Sequence, residues 1–155
     1  MKNLPFTPKD EKDRKRVLFF YVVECGDIYV RKRGDDLSFA VENAGGIGIF
    51  ADDGVSVMKN IVVDKLELIR LLKNADVILY NSAGGGKVES LAELIALRDI
   101  EYIKGFKACT AGEFWITDNN FYPIIDVIDE ITNDINAILY DENVGDNLRY
   151  FHRLK

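Results

Sequence analysis

The chain has 155 residues, of which 48% are hydrophobic and 30% are charged, and its 26 acidic residues outnumber its 20 basic ones to give a net charge of −6. This composition is typical of a globular domain. The sequence contains no apolar run near the roughly 18 residues that span a bilayer, and the negative net charge disfavours nucleic acid as a partner. The first residues do not form a secretory signal, and Cys25 and Cys109 are the only cysteines. We therefore expect free thiols and a cytoplasmic location.

The first part of the chain is predicted to be mostly antiparallel β structure. Residues 1–15 are polar and contain two prolines, so we expect an N-terminal arm followed by one domain over residues 16–155. The apolar run 17–23 predicts a central strand, and the alternating segment 28–33 completes a hairpin with it. Residues 37–41 alternate again and predict a third strand of the same meander.

The second part is predicted to contain a helix, a strand and another helix. Asp64 caps a helix whose third residue is Glu67, residues 77–80 form a strand, and apolar residues in 88–96 mark the next helix. A long C-terminal helix then carries a seam of five isoleucines: Ile124, Ile128, Ile131, Ile135 and Ile138. The predicted fold is therefore a single α+β domain with a mixed sheet.

Three successive glycines follow the strand of this helix, strand and helix unit. Because glycine has no Cβ, Gly84, Gly85 and Gly86 allow backbone N–H groups to approach a ligand, and the next helix adds the positive end of its dipole. Lys87 supplies a cation for an anionic group. Val88 stands where a phosphate loop has Ser or Thr, which disfavours ATP hydrolysis. The sequence thus predicts ligand-binding residues here and leaves open a small phosphorylated ligand.

Few residues are available for catalysis. His152 is the only histidine and lies in the final basic segment, so we expect no catalytic triad, no metal and no cofactor. Glu93, on the helix after the glycines, is the residue we assign as nucleophile or base if the chain is an enzyme. The segment 74–103 resembles the strand, loop and glutamate-bearing helix of nucleoside deoxyribosyltransferase-like proteins. It is also similar to the glycine-loop and acidic-helix unit of nucleotide-sugar glycosyltransferases.

The long C-terminal helix also carries an acidic stripe, formed by Asp126, Asp129 and Glu130, which is suited to steer a basic protein partner. We expect the isoleucine seam to pack in the core, and the sequence leaves a homo-oligomer open. Because no set of acid, base, nucleophile and metal ligands can be assembled, we expect a small acidic non-catalytic binding or assembly protein of the inhibitor, immunity or viral accessory type. The alternative is a nucleotide- or phosphate-ligand-binding protein, including a nucleoside or glycosyl transferase, that uses the glycine loop.

Overall fold

The computed structural model describes residues 10–51, 60–82, 88–118, 124–141, 143–145 and 148–155. Over these residues the chain forms one seven-stranded mixed sheet with helices on both faces. The strands are β1 (Arg16–Val22), β2 (Ile28–Arg31), β3 (Ile47–Ile49), β4 (Asn60–Val63), β5 (Val77–Tyr80), β6 (Phe114–Thr117) and β7 (Phe151–Arg153). The α-helices are α1 (Asp36–Asn43), α2 (Lys65–Leu72), α3 (Leu91–Arg98), α4 (Lys107–Thr110) and α5 (Ile128–Tyr140). Short 3₁₀ turns occupy Glu11–Asp13, Glu101–Gly105 and Ile124–Val127.

The strands lie in the order β4-β2-β1-β5-β6-β7, with β3 also paired to β1. One edge of β1 is divided between two neighbours, since β3 pairs with its first half in parallel and β2 pairs with its second half antiparallel. On the other side, β5 and then β6 are parallel to β1. The strands β2, β3 and β4 therefore lie on one side of β1, and β5, β6 and β7 lie on the other. In open α/β sheets, ligands bind at the carboxyl ends of the strands where the strand order reverses in this way.

Each face of the sheet has its own hydrophobic core. Leu18 and Phe20 of β1 pack with α2 and α3, whereas Val17 and Phe19 pack with α1 and α5. A strand that is covered on both faces needs apolar side chains at successive positions, which is what β1 provides. The predicted fold class and the predicted central strand are confirmed.

The isoleucine seam is part of the second core. Ile131, Ile135 and Ile138 of α5 are buried and pack against residues of α1, β1, β5 and β6. The prediction of core packing for these isoleucines is confirmed. Among the described helices, none is both long and apolar enough to cross a membrane.

The prediction of a strand over residues 37–41 is wrong, because this segment lies in α1. Asp35 caps the helix, with its Oδ1 accepting a hydrogen bond from the backbone N–H of Ser38 at 2.9 Å. The buried residues Leu37, Ala40, Val41 and Ala44 recur with the helical period, while Phe39 points outwards and is 57% exposed. Five residues are too few to distinguish the two periods, and the aspartate cap decides for a helix.

The last strand, β7, was not predicted. It pairs antiparallel with β6, so that His152 lies opposite Ile116 instead of in a solvated basic tail. At the other end of the chain, only residues 10–15 of the predicted arm are described. The boundary between arm and domain stays a prediction.

Candidate ligand site at the carboxyl ends of the parallel strands

Polar side chains gather where β5 and β6 end. Asn81 and Ser82 follow β5, whereas Thr117 ends β6 and Asp118 follows it. Because the two strands are parallel neighbours, their carboxyl ends meet at one edge of the sheet. His152 of β7 reaches the same edge, and we call these five residues the carboxyl-edge cluster.

The link between Ser82 and Thr117 holds the ends of the two strands together. The backbone N–H of Ser82 donates to Oγ1 of Thr117 at 3.0 Å, and Oγ of Ser82 donates to the carbonyl oxygen of Thr117 at 2.7 Å. The two hydroxyl oxygens are 3.1 Å apart. Thr117 is 2% exposed and Asn81 is 7% exposed, so polar groups are buried just below this edge. Such pairing satisfies groups that would otherwise be costly to bury.

A histidine and an aspartate form the exposed part of the cluster. Nδ1 of His152 lies 2.6 Å from Oδ1 of Asp118, and both side chains are partly exposed. A carboxylate accepts hydrogen bonds, so Nδ1 is the donor in this pair and Nε2 is the ring nitrogen left for a ligand. A histidine oriented in this way by a carboxylate is the usual arrangement of a metal-ligating imidazole. Among the described residues, no group of three or more His, Cys, Asp or Glu side chains is placed to hold a metal ion by itself.

The predicted ligand-binding residues Gly84, Gly85, Gly86 and Lys87 lie outside the described residues. The chain enters this segment from Ser82, which belongs to the carboxyl-edge cluster. The prediction that these residues bind a ligand stays a prediction.

The structure places Glu93 in the first turn of α3, where it helps to begin the helix. Its backbone N–H donates to Oγ of Ser90 at 3.1 Å, and its Oε2 accepts from the backbone N–H of Glu89 at 3.0 Å. This exchange is a form of the capping box. The backbone N–H of Leu91 donates to the carbonyl oxygen of Lys155, just after β7, at 2.8 Å. The start of α3 is therefore at the amino end of β6, and Glu93 is not brought together with the carboxyl-edge cluster.

The acidic stripe is partly occupied by contacts within the chain. Asp126 and Asp129 are exposed, but Oε1 of Glu130 accepts from Nη1 of Arg149 at 2.7 Å, and its Oε2 accepts from the hydroxyl of Tyr150. These bonds tie the segment before β7 to α5. The role of the stripe in protein binding stays a prediction.

The side chain of Asp134 in α5 binds the backbone of the same segment. Its Oδ2 accepts hydrogen bonds from the backbone N–H groups of Arg149, at 3.0 Å, and Tyr150, at 2.8 Å. Burial raises the pKa of Asp134 above its usual range, although these hydrogen bonds oppose the shift. Two carboxylates of α5 thus position the chain that enters β7, and with it His152.

Comparison with known proteins finds similar solved structures but no matching family. No family model matches it, and no curated protein matches it either. Among solved structures, an ABC transporter substrate-binding protein from Listeria monocytogenes is similar with a TM-score of 0.59 and 20% identity, over 83% of this chain and 48% of that one. A siderophore periplasmic binding protein from Thermobifida fusca has a TM-score of 0.60 and 16% identity, over 85% of this chain and 47% of that one.

A third similar structure is IsdE of S. aureus complexed with heme, with a TM-score of 0.60 and 18% identity over 86% of this chain and 49% of that one. The chain therefore spans about half the length of these neighbours. At such identities the likeness shows the fold.

The predicted function is wrong. The neighbours are substrate-binding proteins of small ligands, and they are neither inhibitors, immunity proteins or viral accessory proteins nor nucleoside or glycosyl transferases. The physical reason lies in the first half of the chain. A strand at 37–41 predicts an antiparallel meander, whereas a helix there lets β3 pair in parallel with β1, as in open α/β sheets that bind ligands at the carboxyl ends of their strands.

Proposed function

We propose that the chain is a small-molecule-binding unit with the fold of part of a substrate-binding protein, and that its ligand contacts the carboxyl-edge cluster. The observation that carries this proposal is the meeting of polar residues at the carboxyl ends of two adjacent parallel strands, beside the point where the chain reverses its direction across the sheet. The likeness of the fold to proteins that bind heme or siderophores supports it.

The chemistry of the cluster favours heme as the first ligand to test. His152 presents an imidazole whose Nδ1 is held by Asp118, so Nε2 is the nitrogen available to iron. Ser82 and Thr117 add hydroxyl groups for the polar substituents of a ligand. A ferric hydroxamate siderophore is the second ligand to test, since its iron is already enclosed and its contacts would be hydrogen bonds. The predicted protein partner and cytoplasmic location are not needed for this proposal and stay predictions.

The test is titration of the folded protein with hemin, followed by its Soret absorption, and with ferrioxamine B, followed by calorimetry. We expect one of the two to bind with a dissociation constant below about 100 μM. If hemin binds, His152→Ala should alter the Soret band and weaken binding about tenfold or more. If ferrioxamine B binds, Ser82→Ala should weaken binding instead.

Lys73→Gln is the matched control. Lys73 is exposed and lies between α2 and β5, at the opposite edge of the sheet, so this variant should bind as the wild type does. Failure of the folded wild-type protein to bind either probe would contradict the proposal. Binding that is unchanged in both cluster variants would also contradict it.

A further inference from the structure

A concave site apart from the carboxyl-edge cluster lies on the α2 and α3 face of the sheet. It is a cavity of about 570 Å³ between the start of α2, the end of α3 and the hairpin of β1 and β2, and it shares no residue with the carboxyl-edge cluster. Its floor is apolar, since Val22, Ile28 and Ile100 are all buried there. A volume of this size is in the range of small-molecule sites.

Two cations approach the cavity from opposite helices. Lys65, the first residue of α2, holds its Nζ 4.6 Å from the centre of the ring of Tyr102. Arg98, the last residue of α3, lies beside the hydroxyl group of the buried Tyr80. That hydroxyl accepts a hydrogen bond from the backbone N–H of Val22 at 3.0 Å, and Val22 and Arg98 both line the cavity.

Carboxylates line the same rim. Asp27 and Asp99 are exposed there, and Asp99 ends α3 in the left-handed conformation with a φ of 55°. Asp64 also lines the cavity, but its Oδ1 accepts a hydrogen bond from the backbone N–H of Glu67 at 2.8 Å and caps α2. The rim thus carries two cations, Lys65 and Arg98, and two exposed carboxylates, those of Asp27 and Asp99.

This distribution of charge selects against ligands of a single sign. An anion would meet the carboxylates, and a cation would meet Lys65 and Arg98. Nor do the carboxylates form a metal site, because no cluster suited to a metal ion is present among the described residues.

We infer that the cavity binds a zwitterionic small molecule with an apolar body, of the size of an amino acid or a dipeptide. Its carboxylate contacts Lys65 and Arg98, its ammonium group contacts Asp27 and Asp99, and its apolar part covers the floor beside Tyr102. Charge-assisted hydrogen bonds at both ends and burial of the apolar body supply the affinity. This site goes beyond the proposed function, because it does not involve the carboxyl-edge cluster.

The test uses three related probes, L-phenylalanine, N-acetyl-L-phenylalanine and L-phenylalaninamide, titrated by NMR against the full chain. We expect phenylalanine to bind. Each derivative lacks one of the two charges, and we expect its dissociation constant to be at least about tenfold higher. Equal binding of the acetyl form would show an anion site, and equal binding of the amide would show a cation site. Either result would overturn the inference, as would the absence of phenylalanine binding at about 20 mM, which is roughly twenty times a dissociation constant of 1 mM.

Two exposed positions allow variants that leave the core intact. Lys65→Gln should weaken phenylalanine and the acetyl form but not the amide, whereas Asp27→Asn should weaken phenylalanine and the amide but not the acetyl form. Lys73→Gln again serves as the control. If both variants bind all three probes as the wild type does, the ligand lies elsewhere. Hemin or ferrioxamine binding should be the same in Lys65→Gln, so failure at one site is distinguishable from failure at the other.

Discussion

Replacement of Ile131 by alanine measures how much the seam of α5 contributes to stability. The side chain is 0% exposed and lies in the core between α5, α1 and the sheet. Loss of its buried methyl and methylene groups removes about 0.8 kcal/mol of transfer free energy for each group, and the cavity left behind adds to this. We therefore expect Ile131→Ala to lower the free energy of unfolding by about 2 to 5 kcal/mol.

The assay is urea denaturation followed by circular dichroism, with a thermal melt as a second measurement. For a chain of this length, a loss of about 3 kcal/mol corresponds to a fall in Tm of roughly 6 to 12 °C. Asp129→Ala is the control on the same helix, because Asp129 is exposed, and its effect should stay within about 0.5 kcal/mol. A loss below about 1 kcal/mol for Ile131→Ala, with an unchanged slope against urea, would refute the packing of this seam.

Four further predictions concern Asp134, Tyr80 and the two cysteines. Burial raises the pKa of Asp134 in the folded state, so the contribution of this group to stability is present below the unfolded pKa and is lost as pH rises through the folded pKa. The free energy of unfolding of Asp134→Asn should therefore increase relative to that of the wild type between about pH 4 and pH 7. Asp134→Ala leaves two backbone N–H groups without their acceptor and should cost about 1 to 3 kcal/mol in urea melts at both pH values. Tyr80→Phe removes the acceptor for the backbone N–H of Val22 and should cost a similar amount, about 1 to 3 kcal/mol, in the same assay; an unchanged midpoint would exclude this bond as a stabilising contact. Burial raises the pKa of Cys109 to about 11, whereas Cys25 is exposed, so mass spectrometry after brief iodoacetamide treatment of the native protein should find Cys25 modified first; equal labelling would contradict the buried position of Cys109.

The elements that the sequence predicts well are those with local signals at their ends. Asp64 accepts from the backbone N–H of Glu67, so α2 begins after the predicted capping residue. The helix predicted from apolar residues in 88–96 is present as α3, but it begins at Leu91, after a cap at Ser90 that was not predicted. The continuous apolar run of β1 likewise identifies a strand that is covered on both faces. In these cases, the information lies within a few residues of the element.

The elements that the sequence mispredicts depend on distant partners. The segment 37–41 alternates over a short window; besides the cap at Asp35, the burial of Ala44 and contact with α5 reveal its helical face. The strand β7 has three residues, and its identity comes from pairing with β6 about 35 residues earlier in the chain.

The candidate site was missed for the same reason. Its members, Ser82, Thr117, Asp118 and His152 among them, come from three strands that only the folded sheet brings together. A signal was nevertheless present in the sequence, because Asn81 and Ser82 come after the apolar residues 77–80, and Thr117 comes after the apolar residues 114–116. Two polar residues at the ends of two predicted parallel strands would have indicated the edge.

The divided edge of β1 has a consequence for the order in which the protein folds. The strands that share the divided edge, β2 and β3, follow β1 closely in the chain, but the strand that covers its other edge, β5, is made about 60 residues after β1. Until then, a nascent chain carries a strand with apolar side chains on both faces and one unpaired edge, which is the kind of segment that associates with other chains. A fragment that stops before residue 77 should therefore aggregate, and in the growing chain β1 needs protection until β5 has been made.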